Sequence, residues 1–186
     1  FGSWKMFGEK SYVTLYKYAA SGASRAQGVN RFFIGGPATT GLYRNWIVGL
    51  ITSGARIDFF SWHSYLPNPT QYFEDQKNVV SWLVPFPNYT LLPKIISEFG
   101  FTGAKSTGYG TAYAAAYTAA AIRQVITGSP TYMMSFQLKD GPGQESGNGW
   151  GLITHPTNGL KKKPRYYIYN FIDGMAGSRL ALSGEG

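Results

Sequence analysis

Pro93-Lys94-Ile95-Ile96-Ser97-Glu98-Phe99-Gly100 reads as a short apolar strand that ends in a carboxylate. Adjacent isoleucines mark a strand covered on both faces, and Phe99-Gly100 closes the run. Glu98 therefore stands at the mouth of the strand over residues 94–99. An isolated Glu in that place is most often an ion-pair partner for a Lys or Arg. This one has company. Ile57-Asp58-Phe59-Phe60-Ser61-Trp62-His63-Ser64-Tyr65 reads as the preceding strand, and His63 and Tyr65, two residues apart, point to one face. Polar side chains on consecutive strand ends make a constellation in which His63 and Tyr65 can orient and hydrogen-bond a carboxylate nucleophile.

Outward from these two strands, the pattern alternates. Tyr12, Leu15, Tyr16 and Ala19 fall at helical spacing, predicting a helix over 12–26 that stops near Gly28. Arg31-Phe32-Phe33-Ile34 is a short apolar run broken by Gly35-Gly36-Pro37, and a buried strand is the natural reading. Residues 41–53 are helical in pattern, with Gly54 as the stop. Residues 71–83 form a further helix, 85–88 a loop, and the alanine-rich 107–127 the clearest helix of all. A fourth strand is expected over 131–138. The Gly-rich stretch 140–158 is a long loop with a hairpin around Trp150-Gly151-Leu152-Ile153, and residues 164–176 supply the last helix.

Strands alternating with helices imply a parallel sheet, either doubly wound or a (β/α) barrel. The barrel is favoured because His63, Tyr65, Glu98 and Asp140 all fall at or just beyond C-terminal strand ends, the catalytic face of that fold. Gly35-Gly36-Pro37 lacks the G-x-G-x-x-G spacing of a dinucleotide site, so no such cofactor is expected. The 186 residues read as one folding unit. Charged residues make up only 14%, against about 25% in ordinary soluble domains, so some apolar surface calls for a partner. The net charge of +8 is dispersed apart from Lys161-Lys162-Lys163-Pro164-Arg165, which reads as a solvated loop and argues against nucleic acid as a partner. No apolar run is long enough for a membrane helix. The absence of cysteine excludes thiolate chemistry and disulfides, and no metal is expected.

Taken together, these motifs resemble glycoside hydrolase family 39, the β-xylosidase and α-L-iduronidase group of the clan A retaining (β/α)8 barrels. Residues 31–39, ending in Gly-Gly-Pro-Ala-Thr, are similar to the family's fifth strand and turn. Residues 58–65 resemble the sixth strand with its His-x-Tyr pair, and 93–100 the seventh, which carries the nucleophile. Gly149-Trp150-Gly151-Leu152-Ile153 followed by Lys163-Pro164-Arg165-Tyr166-Tyr167 looks like the passage into the eighth helix. The resemblance implies an α/β half of a TIM barrel, strands five to eight with helices on the outer face. It makes Glu98 the nucleophile, with His63 and Tyr65 orienting it. Where the family has Trp-x-x-x-Asp on its eighth strand, this chain has Phe136 and Asp140, which become substrate-binding positions. Trp150 is a candidate stacking surface, as is Trp62, for which core packing is the stronger reading. A β-linked glycoside is the implied ligand, and a secreted or periplasmic parent is weakly implied.

The family's Asn-Glu acid/base pair, at the end of its fourth strand, has no counterpart in these residues. Retaining hydrolysis needs nucleophile and acid ~5–5.5 Å apart, and general acid help contributes ~10²–10⁴-fold. The expectation is a chain that is inactive or weakly active alone. Noncatalytic carbohydrate binding, and an active hydrolase completed by a separate N-terminal half, are the alternatives. An open half barrel also leaves an inner face and two edges without partners, so a homo-oligomer or a complementary half is expected.

Overall fold

The computed structural model describes residues 4–127 and 131–175. The chain divides into two compact units, one drawn from Phe1–Ala104 and Ala120–Phe136, the other from Lys105–Ala119 and Gln137–Gly186.

The first unit holds α1 (Tyr12–Arg25), β1 (Gly35–Thr39), α2 (Arg44–Thr52), β2 (Phe59–Tyr65), α3 (Gln71–Leu83), β3 (Lys94–Gly100), the last turns of α4 (Ala112–Ile126) and β4 (Thr131–Ser135). All four strands are parallel, in the order β1-β2-β3-β4. A doubly wound sheet reverses its strand order at a switch point. This order never reverses, so the winding is that of a barrel. Helices line one face. Phe60 and Trp62 are fully buried there. Tyr72 of α3 donates to the Ser64 carbonyl, and Ser64 Oγ donates to Asp75 of the same helix. Gln76 Nε2 ties α3 to α4 at the Gln124 carbonyl. The opposite face carries Phe59, Ser61, His63 and Tyr65 of β2. By register it also carries Ile95 of β3 and Tyr132 of β4.

The first strand lies later than the apolar run predicted it. Residues 31–34 are not in a strand, and Phe32 and Phe33 are exposed, whereas Gly-Gly-Pro-Ala-Thr pairs with β2. The reason is steric. A Cβ on Gly35 would meet the Phe59 carbonyl and stand 2.6 Å from its ring. Only a residue without a side chain lets the two strands approach at that point. Ile34 remains as the approach to the strand, donating to Asp58 Oδ2 at 2.8 Å and accepting from the Asp58 amide.

Helix ends match local chemistry. Ser11 caps α1 by accepting from the Thr14 amide, and Gly54 follows α2 at φ +70. The alanine-rich helix begins at Ala112, behind a short 3₁₀ turn at Thr107–Gly110. The fourth strand stops at Ser135, short of the expected 138. Residue 176, the expected end of the last helix, lies outside the described residues.

The second unit centres on the 137–163 loop and α5 (Pro164–Asp173). Instead of a regular hairpin, Ile153 makes single bridges to Lys139 and Lys162. Buried charge organises it. Asp140 and Lys163 pair at 2.6 Å with side-chain exposures of 0% and 3%. Arg165, also buried, donates to Thr118 Oγ1 and the Trp150 carbonyl and lies over the Tyr109 ring.

Candidate active site

Glu98 sits two residues from the end of β3, where the strand is irregular. Trp62 pairs with Ile96, but the next pair is His63 with Glu98, so β3 has one extra residue, Ser97. Strict alternation from Ile96, which is fully buried on the helix side, would send Glu98 to the same side. The bulge re-aims it onto the face of His63 and Tyr65, as bulges beside active sites commonly do. Ser97 Oγ donates to the Trp62 carbonyl at 3.2 Å, giving the bulged segment a partner of its own.

On that face the carboxylate is held on one side. Tyr65 Oη donates to Glu98 Oε2 at 2.8 Å, and His63 Nδ1 stands 3.5 Å from the same oxygen. Glu98 Oε1 has no hydrogen-bond partner among the described residues. The side chains of His63 and Glu98 are about a quarter exposed, at 24% and 26%. A carboxylate with one oxygen oriented and the other open to solvent is arranged to attack an electrophilic carbon or to accept a proton.

Three other carboxylates of this unit lie away from that place. Asp58 lies ahead of β2, at the opposite end of the strand, and is held by Arg56 at 2.8 Å. The Ile34 amide and Arg56 lower its carboxyl pKa against the opposing effect of burial. Asp75 lies on the helix side, and Glu74 pairs with Lys77 on the exposed flank of α3. A shallow cleft of about 270 Å³, lined by Lys17, Ser21, Ser24 and Arg56 among others, also belongs to that opposite end.

The sequence-derived positions are drawn from both units. His63, Tyr65 and Glu98 come together. Phe136, half-buried, follows β4 in the first unit, and Trp150 is half-buried in the second. Asp140 is fully buried, with Oδ1 accepting from the Gly151 amide and Oδ2 facing Lys163. Trp62 is fully buried in the core, which leaves it no face for a ligand. Sequence reasoning missed Tyr72 and Asp75, whose side chains reach β2 from α3. They fall within an ordinary amphipathic helix pattern that carries no sign of what they touch. Among the described residues no group of three or more His, Asp or Glu could hold a metal ion, and no helix is long and apolar enough to cross a membrane.

No protein-family model matches the sequence, and no curated protein does. Solved structures do match. A monomeric β-xylosidase from Caulobacter crescentus CB15 superposes with a TM-score of 0.74 at 20% identity, covering 91% of this chain and 38% of its own. A GH39 enzyme from Xanthomonas axonopodis pv. citri gives 0.74 at 17% identity, covering 91% and 37%. A GH39 β-xylosidase from Caulobacter crescentus gives 0.72 at 21%, covering 91% and 38%. The chain thus spans under two fifths of the length of these neighbours. Its α/β architecture of four parallel strands with helices is that of part of the (β/α) barrel found in family 39 glycoside hydrolases.

Proposed function

We propose that this chain carries the nucleophile half of a retaining β-glycosidase site. Glu98 is the attacking carboxylate, His63 and Tyr65 orient it, and the acid/base lies outside these residues. The observation that carries the reading is the 2.8 Å bond from Tyr65 to one oxygen of Glu98, with the other oxygen open. The fold shared with β-xylosidases supports a carbohydrate ligand. Phe136 and Trp150 remain proposed sugar contacts. Asp140 has both oxygens engaged inside the second unit, where it anchors its loop. In a retaining mechanism Glu98 would attack the anomeric carbon and expel the leaving group, forming a glycosyl-enzyme that water later cleaves. Without a partnered acid the first step is slow for ordinary leaving groups, so turnover by the chain alone is feeble.

A 2-fluoro-β-xylosyl fluoride tests this directly, because fluoride departs with little need of protonation. The expected result is a stable adduct, located by peptide mass spectrometry on Glu98 and lost in Glu98→Gln. No adduct on the wild-type chain, or an undiminished one in Glu98→Gln, refutes the assignment.

A partner for the sheet belongs to the same proposal. The face that bears Glu98 also bears Tyr132, and β4 leaves Tyr132 and Met134 61% and 53% exposed. Exposed apolar strand residues favour association. We propose that a second copy or a complementary half barrel covers them. A monodisperse monomer at micromolar concentration by light scattering, unchanged on adding such a half, rules both out.

A further inference from the structure

Tyr72, fully buried in the first turn of α3, places its hydroxyl 3.0 Å from the Ser64 carbonyl and 3.3 Å from the Gly100 carbonyl. These two acceptors lie on neighbouring strands, at the C-terminal ends of β2 and β3. Ser64 is the residue between His63 and Tyr65, and Gly100 is two residues beyond Glu98. The ring is seated edge-on against Phe99, with centroids 6.2 Å apart. One turn along the helix, Asp75 takes the Ser64 hydroxyl, so α3 grips Ser64 by carbonyl and side chain together. Gly100 also accepts the Leu66 amide at 2.9 Å, closing the pairing beyond the strand.

This grip lies just beyond an irregularity in the ladder. The Ser97 bulge shifts the pairing between β2 and β3 immediately before His63 and Glu98, and the Tyr72 hydroxyl spans the two strand ends that carry the site. The bond from Tyr65 to Glu98 is 2.8 Å long. A relative displacement of about 1 Å along the direction of that bond would take it past hydrogen-bond range.

The geometry points to Tyr72 as a positioning residue whose hydroxyl locks the ends of β2 and β3 in register and so holds Tyr65 against Glu98. The functional part rests on the reading of Glu98 as nucleophile. A merely structural tyrosine would satisfy its hydroxyl on any carbonyl, and Tyr16 does so. It is also buried, and it donates to the Arg56 carbonyl at 2.9 Å, ahead of β2. Tyr16→Phe is therefore the control for loss of a buried hydroxyl bond away from the site.

The experiment compares wild type, Tyr72→Phe and Tyr16→Phe in the full chain, at a temperature where each is folded. One measurement is the rate of adduct formation with 2-fluoro-β-xylosyl fluoride. The other is exchange of the Leu66 amide followed by NMR. In Tyr72→Phe, Leu66 exchange should quicken roughly 2- to 12-fold, the span of one lost hydrogen bond. Adduct formation should slow about tenfold or more, as misplaced reacting groups do. Tyr16→Phe should change neither. Unchanged Leu66 exchange in Tyr72→Phe, an unchanged adduct rate where the wild type reacts, or equal effects from Tyr16→Phe would each overturn the proposal. A wild type that forms no adduct defeats the nucleophile reading instead. The register lock then stands or falls on Leu66 exchange alone.

Discussion

Replacing Lys163 by Met removes the charge facing Asp140 and keeps the unbranched apolar stem of the side chain, one atom shorter. Lys163 Nζ lies 2.6 Å from Asp140 Oδ2 and also donates to the Gly149 carbonyl at 2.9 Å and, more weakly, to Gly147 at 3.4 Å. Neither charged group reaches solvent to any extent, so water cannot replace the lost partner. Asp140 would keep only the Gly151 amide on Oδ1. Removing one member of a buried pair costs about 3–5 kcal/mol, mostly from the charge left behind. At roughly 2–4 °C per kcal/mol for a chain of this size, the melting temperature should fall by about 6–20 °C in near-UV circular dichroism at neutral pH. Adding Asp140→Asn should recover much of the loss, because the stranded charge disappears with it. A loss below about 1 kcal/mol in Lys163→Met, or no recovery in the double variant, would refute the view of Asp140 as the buried anchor of its loop. Glycine has a part in the same anchor: a Cβ on Gly151 would lie 2.6 Å from Asp140 Oδ1, so the carboxylate fits against bare backbone.

Tyr65→Phe deletes the hydrogen bond to Glu98 Oε2 and should slow adduct formation on Glu98 roughly 10- to 100-fold; an unaltered rate would show that Tyr65 does not orient the carboxylate. Burial raises the Asp75 carboxyl pKa above its ordinary value of 3.8, outweighing its bonds from Ser64 and Gln71. The folded state therefore holds a proton that the unfolded chain has released, and stability falls as pH rises from about 4 through that raised value. Asp75→Asn, which can still accept from Ser64, should gain on the wild type in urea titrations across that window and hold the gain above it; a difference independent of pH counts against this. Gly35→Ala drives a methyl group into the Phe59 carbonyl and ring and should cost about 1–3 kcal/mol, whereas a neutral result in thermal unfolding would mean that β1 and β2 are not packed so closely.

Much of the architecture is written locally. Helices over 12–25, 71–83 and 112–126, and strands at 59–65 and 94–100, follow from apolar spacing and from Ser, Gly and Pro at their ends, because those signals act within a few residues. The first strand escaped that logic. Phe32 and Phe33 are apolar yet exposed, while Gly35 pairs because the neighbouring strand leaves room there only for backbone and a Cβ on Gly36 would meet the Tyr12 hydroxyl of α1, constraints invisible in the segment itself.

The sequence by itself determined that a strand ends in Glu98, that His63 and Tyr65 share a face of the strand before it, and that strands alternate with helices. Whether Glu98 meets them was beyond its reach. Period-two alternation from Ile96 predicts the helix side for Glu98, and only the extra residue at Ser97, set by the pairing of β3 with β2, turns the carboxylate to the other face. The unreversed strand order, the grip of Tyr72 on two strand ends and the burial of Asp140 are likewise tertiary. Each depends on groups 8 to 37 residues apart along the chain meeting in space, and spacing within a single element does not encode such a meeting.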